Sequence, residues 1–145
     1  MTTVPKPEPR LLCFHKQGTS ARTRFVRWPH GMLAFEPLPA DARLLDEKSA
    51  PGLAHVRRHP ADVLVDAAAR LGMPADALRA ETEFGAVIAT PEGDVPVLLV
   101  QFTSLDPPFA EVETHGGKFI AITEARDCGA LELALLRKAY EILIG

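Results

Sequence analysis

The chain has 145 residues, 47% hydrophobic and 24% charged, with a net charge of −3. A chain of this size buries roughly 68–70% of its unfolded surface, and this composition excludes a chain that stays unfolded as a whole and removes the need for disulfide or metal staples. Residues 1–10 contain no apolar h-region, and no stretch approaches the roughly 20 apolar residues of a membrane span, so a cytoplasmic protein is expected, with no membrane partner.

Residues 1–10 read as a disordered arm, because Pro5, Pro7 and Pro9 alternate with charges and remove backbone donors. Residues 11–145 read as a single α+β domain. The first thirty residues carry Lys6, Arg10, Lys16, Arg22, Arg24 and Arg27 against Glu8 alone, so a basic beginning meets an acidic body. Cys13 and Cys128 form no CxxC pair and are expected as free, buried thiols.

Residues 11–16 have strand character, and 25–28 with 32–35 read as a hairpin turning at Pro29-His30-Gly31. A helix-start signal, Pro-Ala-Asp, then appears at Pro39, Pro60 and Pro74, with each Asp placed near the positive end of a helix dipole. Leu64, Ala67, Ala68 and Leu71 share one face, so a helix is expected over 60–71, stopped by Gly72 and followed by a short helix over 74–82.

The period then changes to two. Residues 84–90 and 95–103, joined through Pro91-Glu-Gly-Asp94, give the strongest hairpin signal. Val97 through Val100 are apolar on both parities, which predicts a central strand covered on both faces. Strands at 109–113 and 118–123 would complete an antiparallel meander, possible extensions coming from 25–28 and 32–35. A last helix over 130–144 carries Leu131, Leu135 and Ile142 on its apolar face, a surface through which two copies could pair. Glu132 lies among those leucines, where a first-turn carboxylate is expected to cap its own helix.

The element order is similar to that of PAS-like sensor domains, in which a sheet cups a small ligand. The likeness spans about residues 24–123, rests on no sequence motif and carries no binding residues across.

Nucleotide and serine-hydrolase motifs are absent: there is no GxGxxG, GxxxxGK[ST] or GxSxG. His55 and His59 have helical zinc spacing, but two arginines lie between them and the general-base Glu of HExxH is missing. Glu111, Glu113 and His115 would share one face of a strand and form a candidate metal or acid–base set, with Asp106 a possible addition. The plainer alternative pairs Glu113 with Lys118 across a hairpin. Arg22, Arg24, Arg27 and Trp28 mix cations with an aromatic, as a single-stranded nucleic-acid surface does, and equally as a charged edge strand does.

The expectation drawn from this is a non-catalytic binding or interaction module for an unidentified small molecule or protein, with no cofactor. A small enzyme built on the Glu-x-Glu-x-His face and a weak nucleic-acid binder are the alternatives.

Overall fold

The computed structural model describes residues 9–18, 22–39, 41–45, 60–91 and 93–144. His55 and His59, and most of the N-terminal arm, lie outside them. The fold is α+β: one mostly antiparallel sheet packed with three helices.

Strand β1, Arg10–Gln17, and strand β7, Gly93–Phe102, run parallel at the centre of the eight-stranded sheet. Side chains alternate between faces along both. Leu12, Phe14, Val97 and Leu99 enter one core, while Leu11, Cys13, Leu98 and Val100 enter the other, as a two-sided strand requires. Strand β6, Ala86–Thr90, forms the expected hairpin with β7, pairing Ala86 with Val97 and Thr90 with Gly93.

On the other side of β1 lies β2, Arg22–Arg27, paired from Gln17↔Arg22 to Phe14↔Phe25. The expected hairpin between 25–28 and 32–35 does not form. Strand β3, Leu33–Ala34, pairs with β1 instead, so β2 and β3 line the same edge end to end. Between them the chain leaves the edge, and Trp28 and Gly31 exchange two backbone hydrogen bonds of 2.7 and 3.1 Å. Gly31 has φ 144°, a backbone conformation that L side chains rarely adopt.

No helix begins at Pro39: Ala42 N–H donates to Pro39 O, and Asp41 lies in a turn. Strand β4, Arg43–Leu44, follows and pairs with β6. Helix α1, Pro60–Arg70, matches the sequence pattern; Val63, Leu64, Ala67 and Ala68 are buried. Gly72, at φ 73°, ends it as expected, and Met73 N–H bonds Ala68 O.

The helix expected over 74–82 is replaced by a turn and strand β5, Leu78–Ala80, paired with β7. Three Pro-Ala-Asp signals thus give one helix. Local propensity lost at 74–82 because Ala77 and Leu78 bury themselves against the sheet and Thr103 bonds back to this turn, its N–H to Ala77 O and its hydroxyl to Asp76 O.

The strand expected over 109–113 is also corrected. Phe109–Thr114 is helix α2, entered through Pro107 and Pro108, which supply no amide donor at a helix start. Strand β8, Lys118–Ile120, therefore pairs with β2 at the far edge, and residues 122–125 turn into a 3₁₀ helix. The meander stops at the β6–β7 hairpin.

Helix α3, Ala130–Ile144, has the expected bounds. Leu135, Leu136 and Ala139 are fully buried on the Phe14/Leu99 face, each leucine contributing about 1.5–3 kcal/mol. Leu131 and Ile142, considered for pairing two copies, pack against the same core. No helix among the described residues is long and apolar enough to cross a membrane.

Candidate functional site

The amphipathic pattern of α1 turns Asp62, Asp66 and Arg70 outward at helical spacing, while Val63 and Ala67 pack on the sheet. Beside that face, the start of β1 and the segment after β3 close a groove of about 230 Å³. Arg10, Phe35, Glu36, Asp66 and Arg70 line it. Two guanidinium groups, two carboxylates and one aromatic ring therefore surround one depression.

The backbone of its rim is tied by Arg10, whose Nε donates to Glu36 O at 3.1 Å and whose Nη2 donates to Pro37 O at 3.3 Å. The Arg70 guanidinium carbon lies 4.3 Å from the centre of the Phe35 ring, a cation–π contact. Trp28 supports the same ring at 5.7 Å and His115 at 6.5 Å.

The residues singled out in the sequence are distributed differently from expectation. Glu111 and Glu113 sit on a helix, about 200° apart around its axis, and His115 follows at the C-cap. A strand would have aligned the three; a helix separates them. Asp106, in the turn before α2, does not repair the set, and no group of three or more His, Cys, Asp or Glu among the described residues could hold a metal ion. The Glu113–Lys118 ion pair has no hairpin to form across, since Lys118 pairs with Arg27 in β2.

The Arg22–Trp28 surface is dispersed as well. Trp28 is 3% exposed, too buried to stack on a base. Arg24 donates to Gln17 Oε1 at 3.2 Å, and Arg27 makes two hydrogen bonds to Asp127, at 2.9 and 2.8 Å. Arg22 stays exposed at the start of β2. The edge-strand reading fails too, because β2 is flanked by β1 on one side and by β8 on the other, and Trp28 serves as backing for Phe35.

Among the described residues two buried side-chain polar atoms lack a hydrogen-bond partner, Trp28 Nε1 and His15 Nδ1, while His15 Nε2 donates to Ser104 O at 2.8 Å. The thiols differ. Burial pushes Cys13 up to about 12, and Cys128, half-buried, is raised mainly by the same desolvation.

Sequence reasoning passed over Arg10, Phe35, Asp66 and Arg70. The i, i+4 pair Asp66 and Arg70 opposite the Leu64/Ala67/Ala68 face was the available signal. Arg10 and Phe35 gave none, because only the sheet brings them to α1.

No protein-family model matches the chain, and no curated protein sequence matches it. Among solved structures, it is similar to the crystal structure of C. elegans Ap4A hydrolase. The identity is 14% and the TM-score 0.50, over 97% of this chain and 99% of that one. The likeness is one of fold. It corrects the expectation of a non-catalytic binding module, since the protein sharing this arrangement along nearly its whole length is a hydrolase.

Proposed function

We propose that the chain is a hydrolase that cleaves phosphoanhydride bonds of a nucleotide polyphosphate such as Ap4A in the groove beside α1. The observation carrying this reading is the convergence of Arg10, Arg70 and Asp66 on one groove. The substrate class is taken from the solved structure of similar fold, an Ap4A hydrolase, which supports the reading.

Phosphoryl transfer asks little covalent chemistry of a protein and much electrostatic positioning, because charge spreads over the phosphoryl oxygens in the transition state. Arg70 and Arg10 supply fixed positive charge at that point, and the ring contact with Phe35 restrains the Arg70 head before substrate arrives. A polyphosphate enters as its magnesium complex, and magnesium is commonly held by one or two carboxylates plus the substrate's phosphates. Glu36 is the carboxylate on the groove that would hold it, which leaves Asp66 to take a proton.

In the hydrolytic step a water oxygen bonds to phosphorus and the bridging P–O bond breaks. Its electron pair leaves with the departing phosphate, and the water's proton passes to Asp66 and then to solvent. Each tenfold in rate corresponds to about 1.4 kcal/mol of barrier.

The test is turnover of Ap4A with magnesium chloride by the purified full chain, followed by ion-exchange separation of the nucleotide products. The reading expects mononucleotide products accumulating in proportion to protein; intact Ap4A after prolonged incubation would overturn it.

A further inference from the structure

On the opposite face of the sheet from α1 lies a second, larger depression. We propose that it binds a small amphipathic carboxylate, an apolar body ending in a single negative charge. Its volume is about 410 Å³, within the range of small-molecule pockets.

The register of β1 and β2 builds its floor. Phe14 and Phe25 are cross-strand partners with ring centres 6.2 Å apart, and two residues along, on the same face, Lys16 is paired with Thr23. Helix α3 covers the phenylalanines, and its last turns bring Tyr140 and Leu143 beside the Lys16–Thr23 pair. Ile122 and Thr123, from the 3₁₀ helix after β8, close the remaining side.

The chemistry of this lining is asymmetric. Lys16 is the only charged side chain in it, and it has no hydrogen-bond or ion-pair partner among the described residues. Thr23, Thr123 and Tyr140 add three hydroxyl-bearing side chains to the lining, while Ile122 and Leu143 provide apolar wall. An ammonium without a partner among the described residues, in a lining that also carries hydroxyl donors, selects an anion, and the apolar wall selects a hydrocarbon body. An inorganic anion would leave that wall wet, and a neutral hydrocarbon would leave the cation unanswered. The inference does not depend on the hydrolase reading, because no residue of this depression lines the groove beside α1.

The chain carries one tyrosine and one tryptophan, so each face of the sheet has its own reporter. Octanoate is titrated into the full chain while the ring NMR signals of Tyr140 and the indole signal of Trp28 are followed. The proposal expects a saturable shift at Tyr140, little change at Trp28, and affinity at least tenfold weaker for 1-octanol. Lys16→Ala should weaken octanoate at least tenfold. Lys16→Met, which keeps the aliphatic stem, should do the same if the alanine variant folds poorly. Equal affinity for octanol and octanoate, a non-saturating Tyr140 shift, or unchanged octanoate affinity in a folded Lys16 variant would each overturn it.

Discussion

Glu132 Oε2 accepts a hydrogen bond from the Met32 backbone N–H at 2.7 Å, joining positions 100 residues apart in sequence. The first turn of α3 thereby holds the excursion that separates β2 from β3. This corrects the expected cap: the carboxylate satisfies an amide of the excursion rather than those of its own helix. Trp28, at the start of the same excursion, backs Phe35 in the candidate groove, so the clasp reaches the proposed site through two aromatic rings.

Replacing Glu132 by alanine leaves the part-buried Met32 amide without its acceptor, a loss of about 1–3 kcal/mol. Glutamine retains an acceptor oxygen and should lose less. Gly31→Ala adds its own conflict, because a Cβ there would lie 2.6 Å from Glu132 Oε2 at φ 144°. In chemical denaturation the Gly31→Ala and Glu132→Ala double variant should therefore lose less stability than the sum of the singles. Strict additivity would separate the two residues and contradict the clasp.

Gly117 is packed on both sides: a Cβ there would stand 2.8 Å from Val112 Cγ1 and 2.9 Å from Trp28 Cε3. Gly117→Ala should destabilise by about 1–3 kcal/mol through overpacking. Because Trp28 is the only tryptophan, native-state fluorescence reports the disturbance directly. An unchanged emission maximum together with an unchanged denaturation midpoint would show that the contact yields freely.

The two thiols should react in a fixed order. Cys13 is fully buried with its pKa pushed up to about 12, so almost no thiolate forms at pH 8. Native protein treated with iodoacetamide should be modified at Cys128 alone, and slowly, since desolvation raises that thiol too. Peptide mass spectrometry showing early modification at Cys13 would place it nearer solvent than the fold does.

The paired hydrogen bonds from Arg27 hold the Asp127 carboxyl below its usual range. A depressed folded-state value contributes stability that is complete above the unfolded pKa of about 3.9 and lost as pH falls through the lower folded value. Asp127 is exposed, which keeps the contribution small. Asp127→Asn should flatten the acid limb of the thermal-midpoint profile below about pH 4 and leave the neutral region nearly parallel to wild type. An identical acid limb in the variant would remove this pair from the account.

Where two-period or helical patterns were long, the sequence disclosed the structure. Helix α3, helix α1 and the β6–β7 hairpin each bury several residues at one spacing, so pattern and packing agree. Short segments were decided elsewhere. Leu78–Ala80 became a strand because β7 offered an edge, and Phe109–Thr114 became a helix, which turned a possible three-ligand face into two separated glutamates and a C-cap histidine. The groove was illegible for a related reason. Arg10 opens a strand, Phe35 follows a two-residue strand and Arg70 ends a helix, and only the sheet order brings them together. Asp66 and Arg70 were visible as a helical pair, but nothing in the sequence placed a partner opposite them.

The proposed cleavage of phosphoanhydrides in the groove beside α1 is tested by kcat/KM for Ap4A in four proteins. These are wild type, Arg70→Ala, Asp66→Asn and Lys16→Ala, the last altering the opposite face of the sheet. Loss of a fixed cation or carboxylate at the reacting centre should lower kcat/KM by roughly 10²–10³-fold in the first two variants. Lys16→Ala should retain wild-type turnover. Activity unaffected by both groove substitutions, or lost equally in all three variants, would contradict the assignment.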